Sequence, residues 1–319
     1  MNRMRAITAC LALCVSGLIS SAVLAQSCEP SRWGADDELG AANLMSPAST
    51  LAALGLVREG NVHPLGIVVD PNMPAFPPRG MMLQVVQPGQ HHGRTLDGDY
   101  GWPMTYNDDL SQLWWGMGPQ IDGLGHLGEA GVFYNCVRGE EFADITGLLK
   151  YGIHQIPPIV GRGVLIDMAE HFGVATLSSS QAFGSEDIMA AAEEQDVEFR
   201  AGDIILIHTG WTDAMLESEP QSWVATEPGI TNEAAEYLAS LNPIAVGADT
   251  WGVEAVPAID GDRVFHGHVT FLKENGIYIL ETMNTGRLAE EDVTEFLFVL
   301  GQARLQGAVQ MIVNPVAMW

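Results

Sequence analysis

From about residue 140 to the C-terminus, short runs of uninterrupted apolar residues alternate with segments carrying helix caps and one-sided apolar faces. No other feature of the chain narrows its fold as much. Residues 163–167, 204–208, 244–248, 277–280 and 309–313 are the apolar runs, and their length suits strands. A strand that is apolar throughout is covered on both faces, as in a sheet with helices packed on it. Between these runs Ser185-Glu186-Asp187 caps a helix through Ala192, its acids well placed for the helix dipole. Thr231 caps a second helix through Leu241, with Ala235, Leu238 and Leu241 on one face, and residues 288–300 read as a third. Nearer the N-terminus, Ser46-Pro47 opens a helix that Gly60 ends. Residues 61–110 are rich in Pro, Gly, Met and His and read as long loops, with short strands at 66–69 and 82–86. The adjacent His91 and His92 there point different ways in extended chain, which argues against a shared ligand role. The fold class is therefore α/β with a buried sheet. No repeat, low-complexity tract or linker divides the chain.

Two stretches carry chemistry. In the first, Gln120, Asp122 and His126 stand among Gly116, Gly118, Gly123, Gly125, Gly128 and Gly131. Each glycine costs a helix interior roughly 1 kcal/mol relative to Ala, so the stretch reads as a loop that bends sharply or approaches other groups closely. A carboxylate and an imidazole on such a loop can bind a metal or move a proton. They can equally bond the local backbone of an ordinary surface loop. In the second stretch, His268 precedes a segment long enough for one or two helical turns, and the apolar run 277–280 ends on Glu281. A Glu is rarely buried unless it is paired or bound to a metal. His268 and Glu281 can converge on one ion, or Glu281 can cap a helix or pair with an Arg.

The segment from Gly116 to His126 resembles the signature of the metal-dependent cyclase/kynurenine formamidase-like hydrolases, His-x-Gly-Thr-His-x-Asp-x-Pro-x-His. Gly118, Asp122 and His126 match it, while Gly116 and Gln120 stand where the motif has its first two His. Residues 266–281 resemble the family's His-…-Gly-Ile-…-Leu-Glu element. Gly161 to Asp167, Gly202 to Trp211, Gly247 to Thr250 and the acidic stretch from Trp33 to Asn43 resemble further parts of it in the same order. The resemblance implies a swivelling β/β/α domain over residues 26–319 and a metal-dependent hydrolase that opens or cleaves a cyclic amide, a lactone or an N-formyl arylamine. It implies that Asp122, His268 and Glu281 are metal ligands and that His126 is the catalytic proton donor and acceptor. The amide oxygen of Gln120 can still serve a hard ion, whereas Gly116 offers no side chain. One divalent ion, Mn²⁺ or Zn²⁺, is expected rather than a complete pair. His266, two residues before His268, faces the same way in extended chain and is a possible substitute imidazole. His208, at a strand end, is read as structural. Trp115, Phe133 and Tyr134, with Trp114, either wall a substrate pocket or belong to the core. The competing reading is an inactive relative that binds a small molecule or a metal. No Gly-x-Ser-x-Gly nucleophile motif is present.

Composition limits the partners. The net charge of −26 repels nucleic acid and anionic membrane surfaces. With 47 % hydrophobic and 17 % charged residues, the chain is not of the disordered type. Residues 1–25, with Arg3 and Arg5 before apolar sequence and Val23-Leu24-Ala25 at the end, read as a secretory signal. Its removal takes the charge to −28, because it carries two Arg and no acid. No later run is long enough to span a bilayer. The expected product is a periplasmic or secreted protein, a homo-oligomer as family members commonly are, acting on a small carbonyl compound. Its remaining cysteines, Cys28 and Cys136, are either paired or two free thiols.

Overall fold

The structure is a computed structural model that describes residues 28–319. The expected signal at 1–25 lies outside the described residues. Nine strands, numbered here in chain order, form the main sheet. They are β1 (Val62–Pro64), β2 (Gln120–Asp122), β3 (Ile159–Asp167), β4 (Ile204–His208), β5 (Ala245–Ala248), β6 (Tyr278–Glu281), β7 (Glu295–Leu300), β8 (Gln310–Ile312) and β9 (Val316–Met318). Their order across the sheet is β1-β9-β7-β3-β4-β5-β6-β2-β8. β3 to β6 run parallel, and the strands added on either side are antiparallel. The parallel strands are the apolar runs of the sequence. Ile204 to Ile207 and Tyr278 to Leu280 are each at most 1 % exposed, as strands covered on both faces should be. Helix α1 (Pro47–Leu54) starts at Pro47 as expected but is ended by Gly55 rather than Gly60, and helices α2 (Ser185–Glu194) and α3 (Asn232–Ser240) match the expected positions. Thr231 caps α3 by accepting from the Ala234 N–H. The helix at α2 is entered from Gly184, whose N–H is held by Asp187.

Three further local expectations change. The helix expected over 288–300 is a short turn of helix at Gly286–Glu290 followed by strand β7. Glu290-Glu291-Asp292 ends the helix, and the β-favouring Phe-Leu-Phe-Val run that follows pairs with β3. Phe296 lies directly across from Gly163, and its ring fills the space that any side chain at 163 would need. The strand expected at 66–69 is absent, and the pairing segment is β1, just before it. Pro64 is tolerated there because β1 is the last strand of the sheet. Finally, the glycine-rich stretch is not loop throughout. Gln120–Asp122 is a buried strand between β6 and β8, and glycine loops flank it.

Cys28 and Cys136 are joined in a disulfide, with Cα atoms 5.6 Å apart. It ties the start of the described chain to the end of the glycine-rich stretch.

Candidate metal centre

The sheet register builds the site. Gln120 and Asp122, two apart on β2, project from one face. Glu281 lies directly across from Gln120 on β6, and Gln310 lies across from Asp122 on β8. The amide nitrogen of Gln120 donates to Asp122 Oδ1 at 2.9 Å and to Glu281 Oε2 at 2.6 Å. Gln310 donates to the same Oδ1 at 2.7 Å. His126 arrives on the turn after β2, where its N–H bonds the Gly123 carbonyl. His268 ends a helical turn, His266–His268, that continues into a π-helical turn, Val269–Asn275. Its Nε2 lies 3.1 Å from Glu281 Oε1 and 3.7 Å from Asp122 Oδ2. Four of the predicted site residues, Asp122, His126, His268 and Glu281, thus meet from two segments distant in sequence.

Asp122 Oδ2 is buried and has no hydrogen-bond partner, a costly state for a carboxylate oxygen. It faces the Nε2 atoms of His126 and His268, at 3.6 and 3.7 Å. The three ligand atoms lie within 4.8 Å of one another. Ligands of one tetrahedral ion at about 2.0–2.1 Å stand roughly 3.3 Å apart, a spacing the two Asp122–His edges already approach. The residues present therefore fit a single divalent ion held by Asp122, His126 and His268, with Glu281 adjacent. Gln120, expected as an oxygen ligand, instead turns its amide nitrogen to two carboxylates. His126, expected only as a proton carrier, stands among the ligand atoms.

The surroundings add charge. Asp122, Glu227, Glu254 and Glu281 are each at most 4 % exposed, an excess of buried acid that favours a bound cation. Glu254 was not foreseen. Its oxygens lie 2.9 and 3.0 Å from His268 Nδ1 and it also accepts the His268 backbone N–H. A carboxylate behind an imidazole fixes the tautomer that presents Nε2 to a metal. Burial would raise the Glu254 pKa, but the charge and hydrogen bonds of His268 outweigh it and hold it below the usual value. Burial works against the protonated form of His268 as well, yet Glu254 and Glu281 raise its pKa well above normal. Burial and the neighbouring Asp122 push the Glu281 carboxyl up to about 7. Burial lowers the pKa of His126; Asp122 opposes this, while His268 and Arg79 reinforce it. His126 is therefore a neutral imidazole at neutral pH, able to bind an ion or accept a proton.

Glu227 gives a clean test of this buried charge. One of its oxygens has no partner, the other accepts from the Gly252 N–H, and burial raises its pKa far above the ordinary carboxylate value. An acid raised in the folded state leaves stability intact below its unfolded pKa and erodes it as pH climbs towards the folded one. Glu227→Gln removes that titration. It is expected to raise the melting temperature by several degrees near about pH 8 and to change it little near about pH 4, where Glu227 is protonated in both states. Equal shifts at the two pH values in thermal melts would contradict the assignment.

A narrow, open cleft of about 20 Å³ is lined by Gln120, Phe76, Trp223 and Trp251, with Arg79 and Gly116. Phe76 stacks on Trp251 with ring centres 5.4 Å apart, and Arg79 donates to the Gly116 carbonyl at 2.5 Å. The aromatic residues named from sequence lie elsewhere. Phe133 packs edge-on against Phe142, and Tyr134 packs against Tyr151 with its hydroxyl bonded to Asp37. Trp115 is partly exposed. His266 is bound by Arg263 rather than turned to the centre. His208 is buried and bonded to Thr285, as a structural residue would be. Two signals could have exposed the missed residues. Glu254 interrupts an apolar run, Val253 to Val256, and Gln310 interrupts another, Val309 to Val313.

The Cyclase family model, described as "Putative cyclase", matches residues 63–255. No curated protein matches the sequence. Among solved structures, a crystal structure of a novel cyclase is similar at 26 % identity and TM-score 0.80, over 90 % of this chain and 96 % of that one. Isatin hydrolase A from Labrenzia aggregata, bound to benzyl benzoate, is similar at 18 % identity and TM-score 0.58, over 85 % and 98 %. A potential metal-dependent hydrolase with cyclase activity is similar at 17 % identity and TM-score 0.51, over 81 % and 98 %. The mixed sheet with its flanking helices is the fold shared with these structures.

Proposed function

The chain belongs to the cyclase family, and from that premise we propose that it is a metal-dependent hydrolase that opens a cyclic amide or lactone or cleaves an N-formyl arylamine. The observation that carries this reading is the partnerless Asp122 Oδ2 facing two imidazoles beside an aromatic cleft. Asp122, His126 and His268 would hold a divalent ion, Mn²⁺ or Zn²⁺ by the character of the donors, which would supply Lewis acidity towards a carbonyl and a water molecule.

The remaining work falls to the chain. Phe76, exposed and backed by Trp251, offers a flat face on which an unsaturated ring can lie. Glu281, with a pKa of about 7, is the group suited to take a proton from water and return it to the leaving nitrogen or oxygen. Isatin hydrolases among the similar structures support a cyclic amide as the substrate type. The disulfide supports an oxidising compartment, in keeping with a periplasmic or secreted protein.

The test is a screen of purified protein, reconstituted with Mn²⁺ or Zn²⁺, against cyclic imides, lactones and aryl formamides. Metal-dependent turnover of at least one class is expected, and it should vanish on chelation. Tight binding of such compounds without turnover in either metal would favour the inactive binding protein instead.

A further inference from the structure

Gly116 and Gln310 act as one device. The Gln310 side-chain amide lies over the Gly116 Cα, in the space that a Cβ at 116 would take. From there its nitrogen reaches Asp122 Oδ1 at 2.7 Å and approaches His126 Nε2 to 3.4 Å. Gln310 is placed for this by register, directly across from Asp122 on the neighbouring strand. Gln120 adds a second donor to the same oxygen at 2.9 Å. Asp122 Oδ1 is therefore fully engaged, while Oδ2 of the same carboxylate has no partner. This asymmetry is not what a buried carboxylate would choose for itself, since two donors shared between two oxygens would desolvate neither.

We propose that Gln310 is a positioning residue for the metal centre. Its amide, admitted by the absence of a side chain at Gly116, fixes the rotation of Asp122 and reserves Oδ2 for one cation. The amide hydrogens on Oδ1 also occupy the side from which Asp122 would bridge to a second ion, so the centre is mononuclear. The inference rests on the reading of Asp122, His126 and His268 as a cation site. It adds the residue that orients that site and the reason for its stoichiometry.

The test reads metal binding, not turnover. Chelator-treated protein with its disulfide intact is titrated with Mn²⁺ and with Zn²⁺ by calorimetry. The wild type should bind one equivalent. Gln310→Met keeps the length of the side chain and removes the donor, and it should weaken binding roughly ten- to a hundred-fold, the usual cost of losing an outer partner of a ligand. Gly116→Ala touches no ligand and needs no unusual backbone angle, but its methyl displaces the end of the Gln310 side chain. It should weaken binding to a similar degree. Because both changes break one contact, the double variant should be no worse than the weaker single one. Two equivalents in the wild type, unchanged affinity in Gln310→Met, or additive losses would each overturn the inference while leaving the hydrolase reading intact. A wild type that binds neither ion removes the metal centre itself.

Discussion

Asp122→Ala should abolish stoichiometric binding of Mn²⁺ or Zn²⁺ and lower metal-dependent hydrolysis by at least about a thousand-fold, because the several kcal/mol of charge stabilisation that an ion supplies go with it. The size of the effect follows from position. Oδ2 of Asp122 is the point on which the Nε2 atoms of His126 and His268 converge, and the two amides on Oδ1 cannot replace it. The folded protein should tolerate the loss. Asp122 is, after burial, the main reason that the Glu281 pKa is raised, so removing it relieves one buried carboxylate of another. Melting of the chelated variant should therefore stay near that of chelated wild type, while its metal titration goes flat. Full activity or full metal occupancy in the variant would end the case for this centre, and a collapsed melting temperature would show a structural role instead.

The sequence revealed the parallel half of the sheet well, and for a simple reason. β3 to β6 are buried on both faces, so their residues are apolar one after another, and such runs have few other uses. It also brought out Asp122, His126, His268 and Glu281, because polar residues next to glycine turns or at the end of an apolar strand are unusual. What escaped was set by pairing rather than by composition. β2 is three residues long, between Pro119 and Gly123, and no periodicity is visible in three residues. Its strand character comes from β6 and β8 on either side. Leu288, Phe296 and Leu300 also suit a helical spacing, so the sequence alone does not reveal β7; the space left by Gly163, about 130 positions away, decides for strand. Glu254 and Gln310 act only through His268 and Asp122, so their roles have no local signature. The same holds for the cleft. Its walls, Phe76, Trp223 and Trp251, come from three separated segments, whereas the aromatics nearest the motif, Phe133 and Tyr134, are spent on the core.

The largest effect on stability should come from the disulfide. Cys28 and Cys136 are 108 positions apart, and closing a loop of that size stabilises a fold by up to about 4.7 kcal/mol through the unfolded chain. Cys136→Ser is expected to lower the unfolding free energy by about 3–5 kcal/mol, measured by denaturant titration, and reductant should do the same to the wild type. The native structure should survive the change. Asn135 holds the N-terminal segment independently, its side chain donating to the carbonyls of Gly34, Ala35 and Asp37 and accepting from the Ser31 N–H. Ala41 and Ala42 of that segment are buried in the core, and the Ala41 N–H bonds Gly276 at the end of the π-helical turn that follows His268. With these contacts in place, metal affinity should be nearly unchanged by reduction near room temperature, while the temperature of irreversible inactivation falls. An unfolding midpoint indifferent to reductant would show that the crosslink bears no part of the stability. A loss of metal affinity in step with the loss of stability would show that the N-terminal segment, and not the sheet alone, holds His268 in place.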